Sequence, residues 1–170
     1  MCYARKDMQR LALHNAKLLI ATGNPGKLRE MRACLASLGV ALASLSDIVG
    51  LTPVVETGAT FEQNARLKAE GYGKQSGLPA VADDSGLAID ALGGEPGVHS
   101  RRWLDPNRDA TDEELIAYTL ERLKKVPRDK RTARLRAVVA FWDGTKTVTA
   151  TESIEGIILE QASGAIDPGY

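Results

Sequence analysis

Two segments of the chain share one pattern, a run of apolar residues that ends abruptly in small and polar residues. The first is LLIATGNPGK at positions 18–27, and the second is LPAVADDSG at positions 78–86. This pattern is typical of a buried strand whose end opens into a functional loop. We therefore predict strands at 17–22 and 78–82, with a turn at 23–26 after the first of them.

Helical periodicity follows the first loop. Apolar residues recur at steps of three and four residues and predict a helix over 27–38, which Gly39 ends. The apolar positions are Leu28, Met31, Leu35 and Leu38. Because the N-terminus of a helix favours a negative charge, this strand–loop–helix unit predicts a site for an anion.

Two capping signals predict further helices. Thr-x-x-Gln at 60–63 begins one helix, and Thr-x-x-Glu at 111–114 begins another, which we expect to continue through Lys125. In the first of these helices, Asn64 and Lys68 lie four residues apart at the border of the apolar face. A polar pair in that position can reach into a cleft. The apolar face itself consists of Phe61, Ala65, Ala69 and Tyr72.

The remaining pattern predicts strands. An apolar segment at 87–92 follows the second polar loop, and strands at 134–142 and 145–151 flank an Asp143-Gly144 turn, which is a strong hairpin signal. Strand–helix units early in the chain and a hairpin later predict an α/β fold with a mixed sheet.

Composition and charge limit the classes of function. A chain of 170 residues, 44% hydrophobic and 26% charged, fits one globular domain, here 17–170, with 1–16 as a mobile N-terminal extension. The 22 basic and 22 acidic residues balance, which argues against nucleic-acid binding by bulk electrostatics. The apolar runs are far shorter than the ~20 residues of a membrane span. Cys2 and Cys34 make no disulfide framework, so we predict a cytoplasmic protein. From the charge balance and the short apolar runs, we expect neither a nucleic-acid partner nor a membrane partner.

The first polar loop is a candidate phosphate site. It lacks the glycine spacing of a Walker loop and of a dinucleotide-binding fold. In the functional interpretation, Thr22, Asn24 and Lys27 surround phosphate oxygens with side chains and backbone amides. The alternative, a simple turn with a surface lysine, has equal weight on the motif alone.

The second polar loop is a candidate metal site. The neighbouring carboxylates of Asp83 and Asp84 repel each other, and at a buried strand end a cation or a shared proton relieves that repulsion. Glu56 is a candidate further ligand, and one of these acids could also activate water. The alternatives are a strand-ending turn, a solvated loop acid at Glu56 and a helix-surface pair for Asn64 and Lys68. The basic residues within 124–134 are predicted to be a solvated helix end and loop.

Four motifs taken together resemble the inosine triphosphate pyrophosphatase family. They are TGNPGK, ETGATFEQNARLKA, LPAVADDSGLAIDALGGEPGVHSRRW and RTARLRAVVAF, and the resemblance extends from about Lys17 to the end of the chain. It implies an elongated mixed sheet flanked by helices with an active-site cleft. It also implies hydrolysis of ITP, dITP and XTP to the monophosphate and pyrophosphate with Mg²⁺, a nucleoside triphosphate as substrate, and a homodimer.

The resemblance also assigns roles to residues. Asp84 matches the proton acceptor and magnesium ligand, Asp83 would assist it, and Glu56 lies in an acidic loop where members differ by one position in the residue that binds metal. Gln63 replaces a glutamate of many members. Substrate contacts are implied for Thr22, Gly23, Asn24, Pro25, Gly26, Lys27, Lys68 and Ser85. Arg102 matches the arginine of the family's Pro-Gly-x-x-Ser-x-Arg stretch.

The end of the chain departs from the family pattern. Members continue through a Gly-Phe-Gly-Tyr-Asp-Pro loop, a lysine and a Ser-His-Arg motif that recognise the base, whereas this sequence ends SGAIDPGY, with Tyr170 at the tyrosine of that loop. We therefore expect a member that lacks its C-terminal part, in which phosphate chemistry is represented and base selection is not. Two alternatives stay open, a Maf-type nucleotide pyrophosphatase for other bases and an inactive nucleotide-binding fragment.

Overall fold

A computed structural model describes residues 17–164 of the chain. The predictions for the extension 1–16 and for Tyr170 lie outside these residues. Five strands form one sheet in the order β2-β1-β3-β4-β5. The strands are β1 (Lys17–Ile20), β2 (Ala41–Ser44), β3 (Ala80–Ile89), β4 (Thr132–Trp142) and β5 (Thr147–Ile157).

The sheet is mixed, as the sequence predicts. β1 runs parallel to β2 and β3, whereas β4 is antiparallel to β3 and to β5. β4 and β5 are longer than the predicted hairpin strands, and they flank the expected Asp143-Gly144 turn. In that turn, Asp143 Oδ1 accepts hydrogen bonds from the amides of Thr145 and Lys146, both at 2.7 Å.

The strand β3 contradicts the prediction of a strand, a polar loop and a second apolar segment. It is continuous, and Asp83, Asp84, Ser85 and Gly86 all lie within it. The physical reason is the partner strand, because β4 pairs with β3 along its whole length, from Ala80↔Trp142 to Ile89↔Ala133. Backbone pairing of this kind satisfies the N–H and C=O groups whatever the local turn propensity of Asp, Ser and Gly.

β3 extends far beyond its other neighbour. β1 pairs with it only at Leu19↔Ala80 and Ile20↔Val81, so the residues after Val81 have no partner strand on that side within the described part of the chain. The polar loop that follows β1 therefore lies beside the acidic segment of β3. At this step in the sheet, Lys27 of the loop contacts Asp83 Oδ2 at 2.7 Å.

The first helix, α1 (Pro25–Leu35), begins two residues earlier than predicted. Asn24 caps it and Pro25 occupies its first turn, where proline is favoured, so Gly26 belongs to the helix and not to a turn. A short 3₁₀ segment, Ala36–Leu38, completes the predicted span, and Gly39 ends it with a left-handed φ of 67°. The helix packs Leu28, Met31 and Leu35 against Leu18, Ile20 and Val81.

The second helix, α2 (Phe61–Ser76), covers the opposite face of the sheet. The hydroxyl of Thr60 accepts a hydrogen bond from the Gln63 amide, as predicted, whereas the Gln63 side chain accepts from Ala59 and does not complete a capping box. The predicted apolar face is confirmed, because Phe61, Ala65 and Ala69 are buried in a core that β4 completes with Val138, Ala140 and Trp142.

The third helix, α3 (Asp112–Arg122), has the predicted capping box at Thr111 and Glu114 but ends before Lys125. Arg131 contradicts the prediction of a solvated basic segment, because the residue is only 5% exposed. Its guanidinium donates to the carbonyl oxygens of Leu123 and Val126 at 2.9 Å each, and to that of Leu159 at 3.4 Å. The side chain therefore closes the C-terminal end of α3. Among residues 17–164, no helix has the length and apolar character needed to cross a membrane.

Candidate active site

The two neighbouring aspartates of β3 point to opposite faces of the sheet. Successive side chains of a strand alternate between faces, and Asp83 and Asp84 pair with Val139 and Val138, respectively, in an unbroken ladder. Asp84 lies on the face that α2 covers, whereas Asp83 lies on the face that α1 covers. The alternative of a proton shared between these two carboxylates is therefore wrong, and each carboxylate instead contacts its own lysine.

On the α2 face, Lys68 joins two acids. Its Nζ lies 2.9 Å from Asp84 Oδ1 and 3.0 Å from Glu56 Oε2. The side chains of Lys68 and Asp84 are both 13% exposed, whereas Glu56, in the loop before α2, is 43% exposed. The alternative that Lys68 is a simple surface residue is therefore excluded.

Burial shifts the pKa values of Asp84 and Lys68. It raises the pKa of Asp84 above its usual value, and the attraction of Lys68 only partly opposes that effect. Burial by itself lowers the pKa of Lys68, but Asp84 and then Glu56 outweigh it, so the pKa of Lys68 is raised. Asp84 is thus a carboxylate with increased basicity beside a lysine that keeps its proton.

On the α1 face, Lys27 pairs with Asp83. The Lys27 Nζ to Asp83 Oδ2 distance is 2.7 Å, and the two side chains are 22% and 13% exposed. The other oxygen, Asp83 Oδ1, is buried and has no hydrogen-bond partner in the described part of the chain. Lys27 stands in the first turn of α1, at the end of the polar loop, so this pair lies beside the step in the sheet.

The polar loop is held together by its own residues. Asn24 Oδ1 accepts hydrogen bonds from the amides of Gly26 at 2.8 Å and Lys27 at 3.2 Å, and the Asn24 amide donates to Thr22 Oγ1 at 3.2 Å. The Asn24 side chain therefore caps the N-terminus of α1 and satisfies two of its free amides. Gly23 and Pro25 are exposed at the tip of the loop.

Three further residues from the sequence analysis lie at different positions. Ser85 is partly exposed on β3 and shares the face of Asp83, two residues away. Arg102 is exposed, and its Nε lies 3.4 Å from Asp109 Oδ1, so this ion pair involves none of Lys27, Lys68 and their carboxylate partners. Asn64 does not reach into the cleft; it is 4% exposed and its Oδ1 accepts a hydrogen bond from the Gly58 amide at 2.8 Å.

The oxygen atoms of this site fit a magnesium ion in part. Mg²⁺ prefers oxygen ligands and is usually held by one or two carboxylates together with substrate phosphates and water. Glu56 Oε2 and Asp84 Oδ1 contact the same ammonium, so both are within reach of one cation, and Asp83 Oδ1 lacks a partner. Within residues 17–164, no three His, Cys, Asp or Glu residues form a group that could hold a metal ion by themselves.

Comparisons with known proteins agree with this architecture. The chain is 47% identical over 160 residues to a dITP/XTP pyrophosphatase of Thermus thermophilus, covering 93% of the chain and 75% of the relative. It is 41% identical over 157 residues to a dITP/XTP pyrophosphatase of Escherichia coli O157:H7, covering 91% and 78%, respectively.

The fold is also similar to solved structures of proteins of this kind. A HAM1 protein from Coxiella burnetii superposes with a TM-score of 0.81 at 35% identity, covering 91% of this chain and 79% of that one. A nucleoside-triphosphatase/dITP/XTP pyrophosphatase from Mycobacterium abscessus superposes with a TM-score of 0.77 at 40% identity, covering 91% and 80%. The model of the Ham1 family matches residues 18–170, and the chain therefore belongs to the Ham1 family.

Proposed function

We propose that this protein hydrolyses noncanonical purine nucleoside triphosphates, such as dITP and XTP, to the monophosphate and pyrophosphate. The observation that carries the proposal is the position of two lysine–carboxylate groups, Lys27 with Asp83 and Lys68 with Asp84 and Glu56, at the step in the sheet. Membership of the Ham1 family and relatives named dITP/XTP pyrophosphatase support it. They favour this reaction over that of a Maf-type enzyme.

In the reaction, water attacks the α-phosphorus and the bond to the bridging oxygen of the β-phosphate breaks. Asp84 accepts the proton of the attacking water, a role for which its raised pKa suits it, because a base is most effective when its pKa approaches the working pH. Pyrophosphate leaves with the electron pair of the broken bond. Lys27 and Lys68 neutralise charge on the leaving group, and Thr22 and Asn24 hold the loop that presents Lys27.

Glu56 and Asp84 would hold Mg²⁺. The bound ion supplies charge neutralisation and water activation in this class of chemistry. The triphosphate brings new negative charge to both lysines, so we expect each ammonium to shift from its carboxylate toward phosphate oxygens. We also propose that the protein is a homodimer, as the family resemblance implies, and that it acts in the cytoplasm, as the small number of cysteines favours.

The experiment that tests the function is product analysis with dITP, XTP and ATP in the presence and absence of Mg²⁺. We expect pyrophosphate and the monophosphate, formed only with a divalent ion. Asp84→Asn should lower the turnover number by at least ~10²-fold, the scale for loss of one key electrostatic group. Wild-type turnover in that variant, or orthophosphate as the first product, would contradict the mechanism. Absence of any hydrolysis by the folded wild type would instead favour the inactive-fragment alternative.

A further inference from the structure

The loop that carries Glu56 is fastened to α2 by side-chain amides. At its start, Gln75 Oε1 accepts hydrogen bonds from the amide of Thr52 at 2.8 Å and from its hydroxyl at 3.0 Å. At its end, Asn64 Oδ1 accepts from the Gly58 amide at 2.8 Å. Glu56 lies between these two attachments, two residues before Gly58.

Asn64 differs from the other amide in burial. It is 4% exposed, whereas Gln75 is exposed at the surface. A buried amide whose oxygen accepts from one backbone N–H fixes that backbone group more firmly than an exposed one, because water does not replace the lost bond. Gln75 makes more hydrogen bonds, since its Nε2 also donates to the Thr52 carbonyl oxygen at 3.2 Å, but they lie at the surface, where water can replace them. The buried bond at Gly58 is therefore the one whose loss costs more.

Gly58 is in close contact with this amide. A Cβ atom at Gly58 would lie 2.6 Å from Asn64 Oδ1 and 2.6 Å from Gln63 Cβ. These distances are shorter than any normal contact, so the approach of the loop to the first turn of α2 depends on glycine at this position.

The helix α2 links this attachment to the charged group. Asn64 and Lys68 are four residues apart, hence one turn apart on the same side of α2. Lys68 Nζ contacts Glu56 Oε2 at 3.0 Å. The helix therefore contacts the loop through Asn64 at the Gly58 backbone and through Lys68 at the Glu56 carboxylate. Glu56, at 43% exposure, has little packing of its own to fix its position.

We propose that Asn64 is a positioning residue, whose buried amide holds the Gly58 backbone so that the Glu56 carboxylate stands beside Asp84 and can bind a divalent cation with it. The inference rests on the proposed function for its kinetic consequence. Asn64 itself touches neither substrate nor metal. Its effect passes through the loop to Glu56.

The test compares Asn64→Leu, Gly58→Ala and the matched control Gln75→Leu, which removes an amide from the same helix and frees the other end of the same loop. Mn²⁺ binding is measured by electron paramagnetic resonance without nucleotide, and the Mg²⁺ concentration for half-maximal dITP hydrolysis is measured separately. We expect Asn64→Leu and Gly58→Ala to weaken both by about 10–100-fold, the usual effect of losing a group that orients a metal ligand. Gln75→Leu should change neither by more than about two-fold.

Two further variants separate positioning from a general loss of structure. Asn64→Asp keeps an oxygen acceptor for the Gly58 amide and should retain most of the Mn²⁺ affinity. In a Glu56→Gln background, Asn64→Leu should have little additional effect, because the ligand that it positions is already lost. The inference would be overturned if the effects of Asn64→Leu and Glu56→Gln on Mn²⁺ affinity were fully additive, or if Gln75→Leu weakened Mn²⁺ binding as much as Asn64→Leu does. It would also be overturned if the wild type did not bind Mn²⁺. If the wild type binds Mn²⁺ but does not hydrolyse dITP, the proposed function fails and the Mn²⁺ data alone decide the role of Asn64.

Discussion

Replacement of Lys68 by methionine should make the stability of this protein depend on pH in a defined direction. Methionine keeps much of the apolar stem of lysine but removes the ammonium that contacts Asp84 at 2.9 Å. Burial already raises the pKa of Asp84, and without Lys68 the main opposing attraction disappears. The folded-state pKa of Asp84 should therefore rise further in the variant, while its unfolded-state pKa stays near 3.9.

The magnitude follows from the burial of the pair. Removing one partner of a fully buried ion pair costs about 3–5 kcal/mol, whereas a fully exposed pair contributes about 0–1 kcal/mol. With both side chains 13% exposed, we expect Lys68→Met to lose about 2–3 kcal/mol at neutral pH. Protonation of Asp84 limits the cost, since each unit by which its pKa rises is about 1.4 kcal/mol.

The sign of the pH dependence is determined by proton binding. Between the unfolded and the raised folded pKa of Asp84, the folded variant holds a proton that the unfolded chain has released. Its free energy of unfolding therefore falls as pH rises through this window, and the deficit relative to the wild type is small at acid pH and greatest above the folded pKa. Urea unfolding from about pH 4.5 to pH 8 measures this trend.

Lys74→Met is the matched control. Lys74 is on the same helix and pairs with Glu70, but its side chain is 64% exposed. We expect a loss within about 0.5 kcal/mol that does not vary with pH. A Lys68→Met deficit that is constant across the pH range, or one that grows as pH falls, would refute the assignment of Asp84 as a buried carboxylate dependent on Lys68.

Two further predictions concern the core. Arg131→Met should lower the free energy of unfolding by about 2–4 kcal/mol, because it leaves the carbonyl oxygens of Leu123 and Val126 without their charged donor. In the same urea experiment, substitution of the exposed neighbour, Lys130→Met, should change the free energy of unfolding by less than about 0.5 kcal/mol. Gly73→Ala should lower the melting temperature in spite of the better helix propensity of alanine, because the added Cβ would collide with the ring of Trp142. Such overpacking costs about 1–3 kcal/mol. An increase in the melting temperature would show that the ring can move aside.

The sequence predicts the helices well because their signals are local. Thr60, Thr111 and Gly39 cap or end helices as expected, and the apolar face of α2 is buried as predicted. The continuity of β3 was not predictable in this way. Asp83, Ser85 and Gly86 have turn propensity, and only pairing with residues of β4 that lie fifty or more positions later in the chain overrides it.

The same long-range pairing explains the error in the candidate site. A loop would let the neighbouring side chains of Asp83 and Asp84 converge, whereas a strand separates them, so Asp83 faces Lys27 and Asp84 faces Lys68. Arg131 departs from its prediction for a related reason, since its surroundings include Leu159, which lies in the segment that follows β5. Neither partner can be recognised from the local pattern of charges.

The unequal attachment of β3 to its two neighbours has a mechanical consequence. The ladder between β3 and β4 runs from Ala80 to Ile89, but only Ala80 and Val81 join β3 to β1. The sheet is therefore least resistant to bending along this short junction, which separates the loop bearing Lys27 from the acids on β3. A small rotation there would widen or narrow the space between them while leaving the β4–β5 hairpin unchanged. Among the described strands, opening the sheet between β3 and β1 would break fewer backbone hydrogen bonds than opening it between β3 and β4.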